Sequence, residues 1–172
     1  MIDAGDDTMP PYAFVPGGPW PHPTASPAGH SFGKTRAPVE PVRDDDWSRS
    51  AVYLRGIALF NAGYYWEAHE AWEALWHAHE RRGATADMLK ALIKLAAAGV
   101  KVREGQRHGV VTHARRAGDL FEAAMKAGGR HRLGLDLQAW SAVARCVADE
   151  PPHDPAPGAR VSCVFGFRIE LV

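Results

Sequence analysis

The chain has 172 residues, 46% of them hydrophobic and 23% charged, with Lys plus Arg and Asp plus Glu at 20 each. This is the length and composition of one soluble domain with a buried core. The zero net charge argues against a dedicated nucleic-acid or anionic-membrane binder. No apolar run approaches the ~18 residues of a membrane span. The acidic start Met1-Ile-Asp-Ala-Gly-Asp-Asp has no apolar stretch behind it, so no secretion signal is expected. Cys146 and Cys163 are the only cysteines and form no CxxC or Cys–His spacing, which fits a reducing cytoplasm and no zinc knuckle.

Proline divides the chain. Nine of the 13 prolines lie between Pro10 and Pro41, four between Pro151 and Pro157, and none in Val42–Glu150. Proline removes a backbone donor and blocks helix interiors. Residues 1–43, rich in Pro and Gly without an apolar period, are therefore expected to form a disordered or loosely docked tail, with Trp20 and Phe32 as candidate anchors. Residues 44–150 should fold as the domain, and residues 151–172 as a proline hinge followed by an extended segment.

Within the domain the apolar residues recur with helical period. Asp44-Asp45-Asp46 can cap a first helix carrying Trp47, Ala51, Leu54, Ile57 and Ala58 and ending near Gly63. A second helix is expected from Tyr64 to about Arg82, stopped by Gly83. A third runs from about Thr85 to Glu104, stopped by Gly105, with Lys90, Lys94 and Lys101 together on the side opposite its apolar stripe. A fourth spans about His108–Lys126, ended by Gly128-Gly129, and a fifth about Leu135–Ala148. Four or five helices on short loops predict an all-α fold, a small antiparallel bundle. The final segment alternates differently: Val161, Cys163, Phe165, Phe167, Ile169 and Leu171 fall at period two, a strand signal. Such a segment would pair with Tyr12–Val15, add to a second copy of the chain in a homo-oligomer, or lie extended over the bundle.

The second helix is the densest part of the chain: five of the sixteen aromatic residues fall in Tyr64–Trp76. At ~100° per residue, Tyr65, Trp66, His69, Trp72, Glu73 and Trp76 share one broad face. His69 and Glu73 are four apart and can touch. An ionisable pair among indoles must be compensated. Glu73 could orient the His69 imidazole toward a metal, a water or a substrate proton, or the two could simply be a buried structural pair. As divalent-metal ligands His69 and Glu73 are two short of a closed zinc site. His77 lies too far round the helix, so His108, His113 or Asp119 would have to contribute. Trp76 would form a pocket wall, and Glu70 and Lys94 are further candidates for ligand binding, Lys94 because a lysine beside a carboxylate pocket can hold an anion. Glu67 and Glu70 lie outside the aromatic face, exposed or paired with Lys94 or Arg103. His77 and His79 read as surface residues. The eight basic residues in 101–132 leave RNA or phosphate binding as the weakest option, so nucleic acid is not expected as a partner.

The run Phe60-Asn-Ala-Gly-Tyr-Tyr-Trp-Glu-Ala-His-Glu70, followed by Glu73 and Trp76, resembles the prokaryotic family catalogued as domain of unknown function 309. The downstream Leu89-Lys-Ala-Leu-Ile-Lys-Leu-Ala-Ala-Ala resembles its second block, with Ala91 and Lys94 in place of the usual Gly and Gln. The resemblance covers about residues 47–148. It implies a small helical bundle and a His-x-x-x-Glu-x-x-Trp pattern, matched by His69, Glu73 and Trp76, that has been suggested to bind metal; it assigns no activity. The expected function is a metal- or small-ligand-binding helical protein, with hydrolase-like chemistry as one form. The alternative is a non-enzymatic interaction or scaffold module in which the His–Glu pair is structural.

Overall fold

A computed structural model describes residues 8–35, 37–154, 158 and 160–172. The acidic start and Pro155 and Pro157 of the expected hinge lie outside these. Five helices follow one another: α1 Ala51–Asn61, α2 Tyr65–Ala78, α3 Gly83–Arg103, α4 Arg107–Gly128 and α5 Leu137–Asp149. A two-residue hairpin, β1 His131–Arg132 and β2 Leu135–Asp136, stands before α5. Each helix packs on the next, and α3, buried along most of its length, is the centre of the bundle. Among the described residues no helix is long and apolar enough to cross a membrane. The all-α expectation holds.

Close approaches fix the helix register. A Cβ on Gly56 of α1 would stand 2.2 Å from Trp72 Nε1 of α2, and one on Gly99 of α3 would stand 2.6 Å from the Tyr65 ring. Glycine at these two positions lets the backbone of one helix meet an aromatic ring of the next. At the other end of α3, Gly128 of α4 reaches Ala84. The pairs run antiparallel.

Helix ends follow the expected glycines at Gly63 and Gly105, both in the left-handed region at φ 87° and 69°. Three boundaries differ. The aspartates do not cap α1: Trp47–Arg49 form a 3₁₀ turn, Ser50 is the cap and accepts from Tyr53 N–H. Asp44 instead accepts from Leu133 N–H at 2.6 Å. Helix α2 stops four residues early, because Glu80 and Arg81 take φ of 53° and 61°; Gly83 then opens α3 rather than closing α2. Helix α5 begins at Leu137, since Asp136 caps it by accepting from Gln138 and Ala139 N–H. The hairpin turn holds Leu133 and Gly134 at φ 49° and 75°, the pair of positive angles a two-residue turn favours. Leu133 is fully buried, and the Tyr53 hydroxyl donates to its carbonyl.

The described parts of both flanks contribute buried residues to the bundle. From the N-terminal segment Tyr12, Phe14 and Val42 are buried, whereas Trp20, stacked on Tyr12 at 5.2 Å, and Phe32 are exposed. Among the described residues the C-terminal segment forms no strand. It lies extended over its own bundle: Asn61 donates to the Ile169 carbonyl and accepts from its N–H (2.8 and 2.7 Å), and Tyr65 Oη accepts from Val164 N–H. Phe165 stacks on Phe60, and Val172 N–H reaches the Gly134 carbonyl. Buried Arg103 meets Asp154 at 3.1 Å, where the segment turns back to the bundle.

Candidate functional site

The fully buried stripe of α2 is Tyr65, Ala68, Trp72 and Leu75. His69, Glu73 and Trp76 run along its edge, half-buried. The His69 and Glu73 side chains retain 24% and 36% of their exposure, and Nε2 and Oε2 stand 4.0 Å apart. That distance allows attraction but exceeds a hydrogen bond. The pair is therefore a solvent-reachable imidazole and carboxylate side by side, rather than a sealed couple.

Aromatic rings flank it on both sides. Trp66 lies one turn back, its ring 5.7 Å from His69, and is met edge-on by Phe14 and His22 of the N-terminal segment. Trp76 lies one turn ahead, and the Lys90 ammonium of α3 sits 3.7 Å from its ring centroid, with Arg81 at 5.3 Å. Such contacts contribute about 0.5–2 kcal/mol. One face of the expected pocket wall is thus covered by Lys90. Burial pulls the Lys90 ammonium below its usual range, as does Lys94, while Glu73 opposes the shift.

Glu67, expected outside the aromatic face and exposed or paired with Lys94 or Arg103, is the buried carboxylate of α2. It accepts from Phe14 N–H at 2.9 Å and faces His30 Nε2 at 3.5 Å. Its partners come from the N-terminal segment, which no helical projection brings near. Glu70 and Lys94 are half-buried, and Lys94 makes no ion pair among the described residues. His77 is exposed and accepts from Arg81, whereas burial holds the His79 imidazole below its ordinary range. On α4, His113 is also pulled down, first by burial and then by Lys94 and Lys101; Glu104 opposes, and His69 adds to the lowering. His113 thus senses Lys94 of α3 and His69 of α2. Lys90 and His113 were visible in the sequence only as a lysine stripe and as one of several spare histidines.

Among the described residues no three His, Cys, Asp or Glu side chains gather closely enough to hold a metal ion. His108 and Asp119, expected as possible third ligands, are exposed, and Asp119 pairs with Arg145. The site as built is a mixed patch: one carboxylate, two imidazoles and a lysine between indoles.

No curated protein and no solved structure matches the chain. Residues 53–113, from the first turns of α1 to the middle of α4 and including His69, Glu73, Trp76, Lys94 and His113, match the family described as Domain of unknown function (DUF309).

Proposed function

We propose that the protein is a small-ligand-binding helical bundle whose ligand meets His69 and Glu73 on the outer edge of α2, between Trp66 and Trp76. The observation that carries the reading is the half-open His69–Glu73 pair, set 4.0 Å apart within an aromatic surface. A pair kept for packing would be closed and sealed, because a buried charge is compensated only by good hydrogen-bond geometry. At this separation and exposure the couple adds little to stability, about 0–1 kcal/mol. Two protein donors are fewer than the three or four zinc takes, so a non-metal ligand fits the residues better than a bound ion.

The test is a fragment screen by protein-observed NMR, on wild type and on His69→Gln and Glu73→Gln. Ligands should shift the signals of α2 and lose at least ~10-fold in affinity in both variants, a difference of about 1.4 kcal/mol. Both variants should melt within a few degrees of wild type. Equal binding by all three proteins would refute the site; a large drop in melting temperature would favour the scaffold alternative. Metal analysis of untagged protein checks the remaining version: stoichiometric metal, lost in His69→Gln, would replace the ligand reading with a metal centre.

A further inference from the structure

We propose that residues 12–32 form a strap that closes over the Trp66 end of α2, clasped there by Glu67, and that its opening controls ligand access to the α2 site. The strap stands on contacts of its own; its effect on a ligand rests on the reading of the α2 edge as a binding site.

The segment is tied largely to itself. Residues 12–32 contain no helix or strand, and their backbone bonds close within the segment: Ser26 N–H donates to the His22 carbonyl, Ser31 N–H to the Pro23 carbonyl at 2.9 Å, and Phe32 N–H to the Gly29 carbonyl. The Tyr12 hydroxyl draws the loop shut, donating to the Pro21 carbonyl and accepting from the His30 N–H.

One carboxylate of the bundle clasps both limbs of this loop. Glu67 Oε1 accepts from Phe14 N–H on the first limb at 2.9 Å and faces His30 Nε2 on the second at 3.5 Å. Beside that clasp the rings of Phe14 and His22 lie on Trp66, 4.9 and 5.4 Å away between centroids and steeply inclined to it at 80° and 83°. They take up indole surface that a ligand between Trp66 and Trp76 would otherwise meet.

The clasp is poised rather than locked. Glu67 is buried, yet its Oε2 has no hydrogen-bond partner among the described residues. Holding a carboxylate out of water with one oxygen uncompensated offsets part of what the Phe14 bond and the ring contacts contribute. Opening returns that oxygen to water and leaves the core of the bundle, centred on α3, intact. The strap should therefore open at a lower free energy than the helices unfold.

Two indole N–H groups on one helix report the difference. Trp66 Nε1 and Trp72 Nε1 are both buried and make no hydrogen bond among the described residues, but Trp66 lies under the strap and Trp72 in the fully buried core. Strap opening frees the first alone, whereas unfolding frees both.

The experiment follows solvent exchange of these two signals by NMR on the full chain, as wild type, Glu67→Ala and Tyr12→Phe, with and without urea below the unfolding transition. Trp66 should exchange at least ~10-fold faster than Trp72 in every protein and with the weaker urea dependence, since a local opening exposes little surface. Glu67→Ala should speed Trp66 exchange at least ~10-fold, as expected for losing a hydrogen bond to a charged acceptor, and Tyr12→Phe at least ~3-fold. Equal rates and equal urea slopes for the two indoles would overturn the strap, as would unchanged Trp66 exchange in Glu67→Ala or in Tyr12→Phe. Fragments that shift α2 signals should bind Glu67→Ala more tightly than wild type by the factor gained in Trp66 exchange, for as long as the open form is the minority. Faster exchange with unchanged fragment affinity would overturn the control of access. No fragment binding to any of the proteins, with exchange as expected, would refute the α2 site and leave the strap itself standing.

Discussion

The packing of Trp72 can be tested by one methyl group. Gly56 lies inside α1, and a Cβ there would stand 2.2 Å from Trp72 Nε1 and 2.7 Å from Cδ1 and Cε2. Non-bonded carbon contacts settle near ~3.5–4.0 Å, so the ring or the helix must move by more than ~1 Å. Trp72 has no room to do so: it is fully buried and lies against Phe60 at 5.9 Å between centroids. Alanine regains about 1 kcal/mol of helix propensity over glycine, while overpacking a tight core costs about 1–3 kcal/mol and sometimes more. With backbone and indole both blocking the methyl, the steric cost wins. Gly56→Ala should lose a net ~1–3 kcal/mol, or about 2–12 °C in melting temperature at the ~2–4 °C per kcal/mol usual for a chain of this size. Gly109→Ala serves as the control. The three atoms nearest its Cβ are all Lys101 side-chain carbons, from 2.9 Å, and a flexible stem can step aside. Thermal unfolding followed by circular dichroism and by indole emission reads both. Gly56→Ala melting at or above wild type, with unchanged emission, would refute the register assigned to α1 and α2.

Three further outcomes follow from contacts described above. Glu67→Ala removes the acceptor of the Phe14 N–H, a bond to a charged group contributing about 1.5–3 kcal/mol, so hydrogen exchange in residues 12–34 should speed up while α3 stays protected. Asn61→Leu leaves both the N–H and the carbonyl of Ile169 without their partner, and limited proteolysis should then cut within residues 160–172 before it cuts the helices. Burial holds the His79 and His113 imidazoles below 6.5, so in acid the unfolded chain takes up protons that the folded chain refuses. Their contribution to stability is complete above that value and is lost as pH falls below it, so the melting temperature should drop from pH 7 to 5. The double variant His79→Gln/His113→Gln should flatten that slope; an unchanged slope would show that other groups cause it.

The helices were legible because amphipathic period and glycine stops coincide, as at Gly63 and Gly105. The end of α2 was not, because the left-handed turn is made by Glu80 and Arg81, residues that advertise no such backbone. The hairpin leaves no pattern in the sequence, since two residues cannot display a period of two. In the C-terminal segment the alternation was real but its cause was different: one side of an extended chain packs on Phe60 and Ile169 is buried, with no neighbouring strand. For the candidate site, the helical projection placed His69, Glu73 and Trp76 near one another but could not show which arc faces the core. The buried arc is Tyr65, Ala68, Trp72 and Leu75, and the candidate residues border it. For Glu67 the projection points to solvent, Lys94 or Arg103 and misses the true partner, because Phe14 is 53 residues away and belongs to a segment without periodicity.

The way the C-terminal segment is held also bears on self-association. Val164-Phe-Gly-Phe-Arg-Ile169 combines aromatic and β-branched residues with one charge and no proline, the composition of a segment able to template itself. A ladder partner would have left one edge of such a strand open to a second chain. Here Asn61 and Tyr65 occupy backbone groups at its two ends, and the aromatic side chains are stacked on Phe60. Loosening those two side chains should therefore raise aggregation before it lowers helix content.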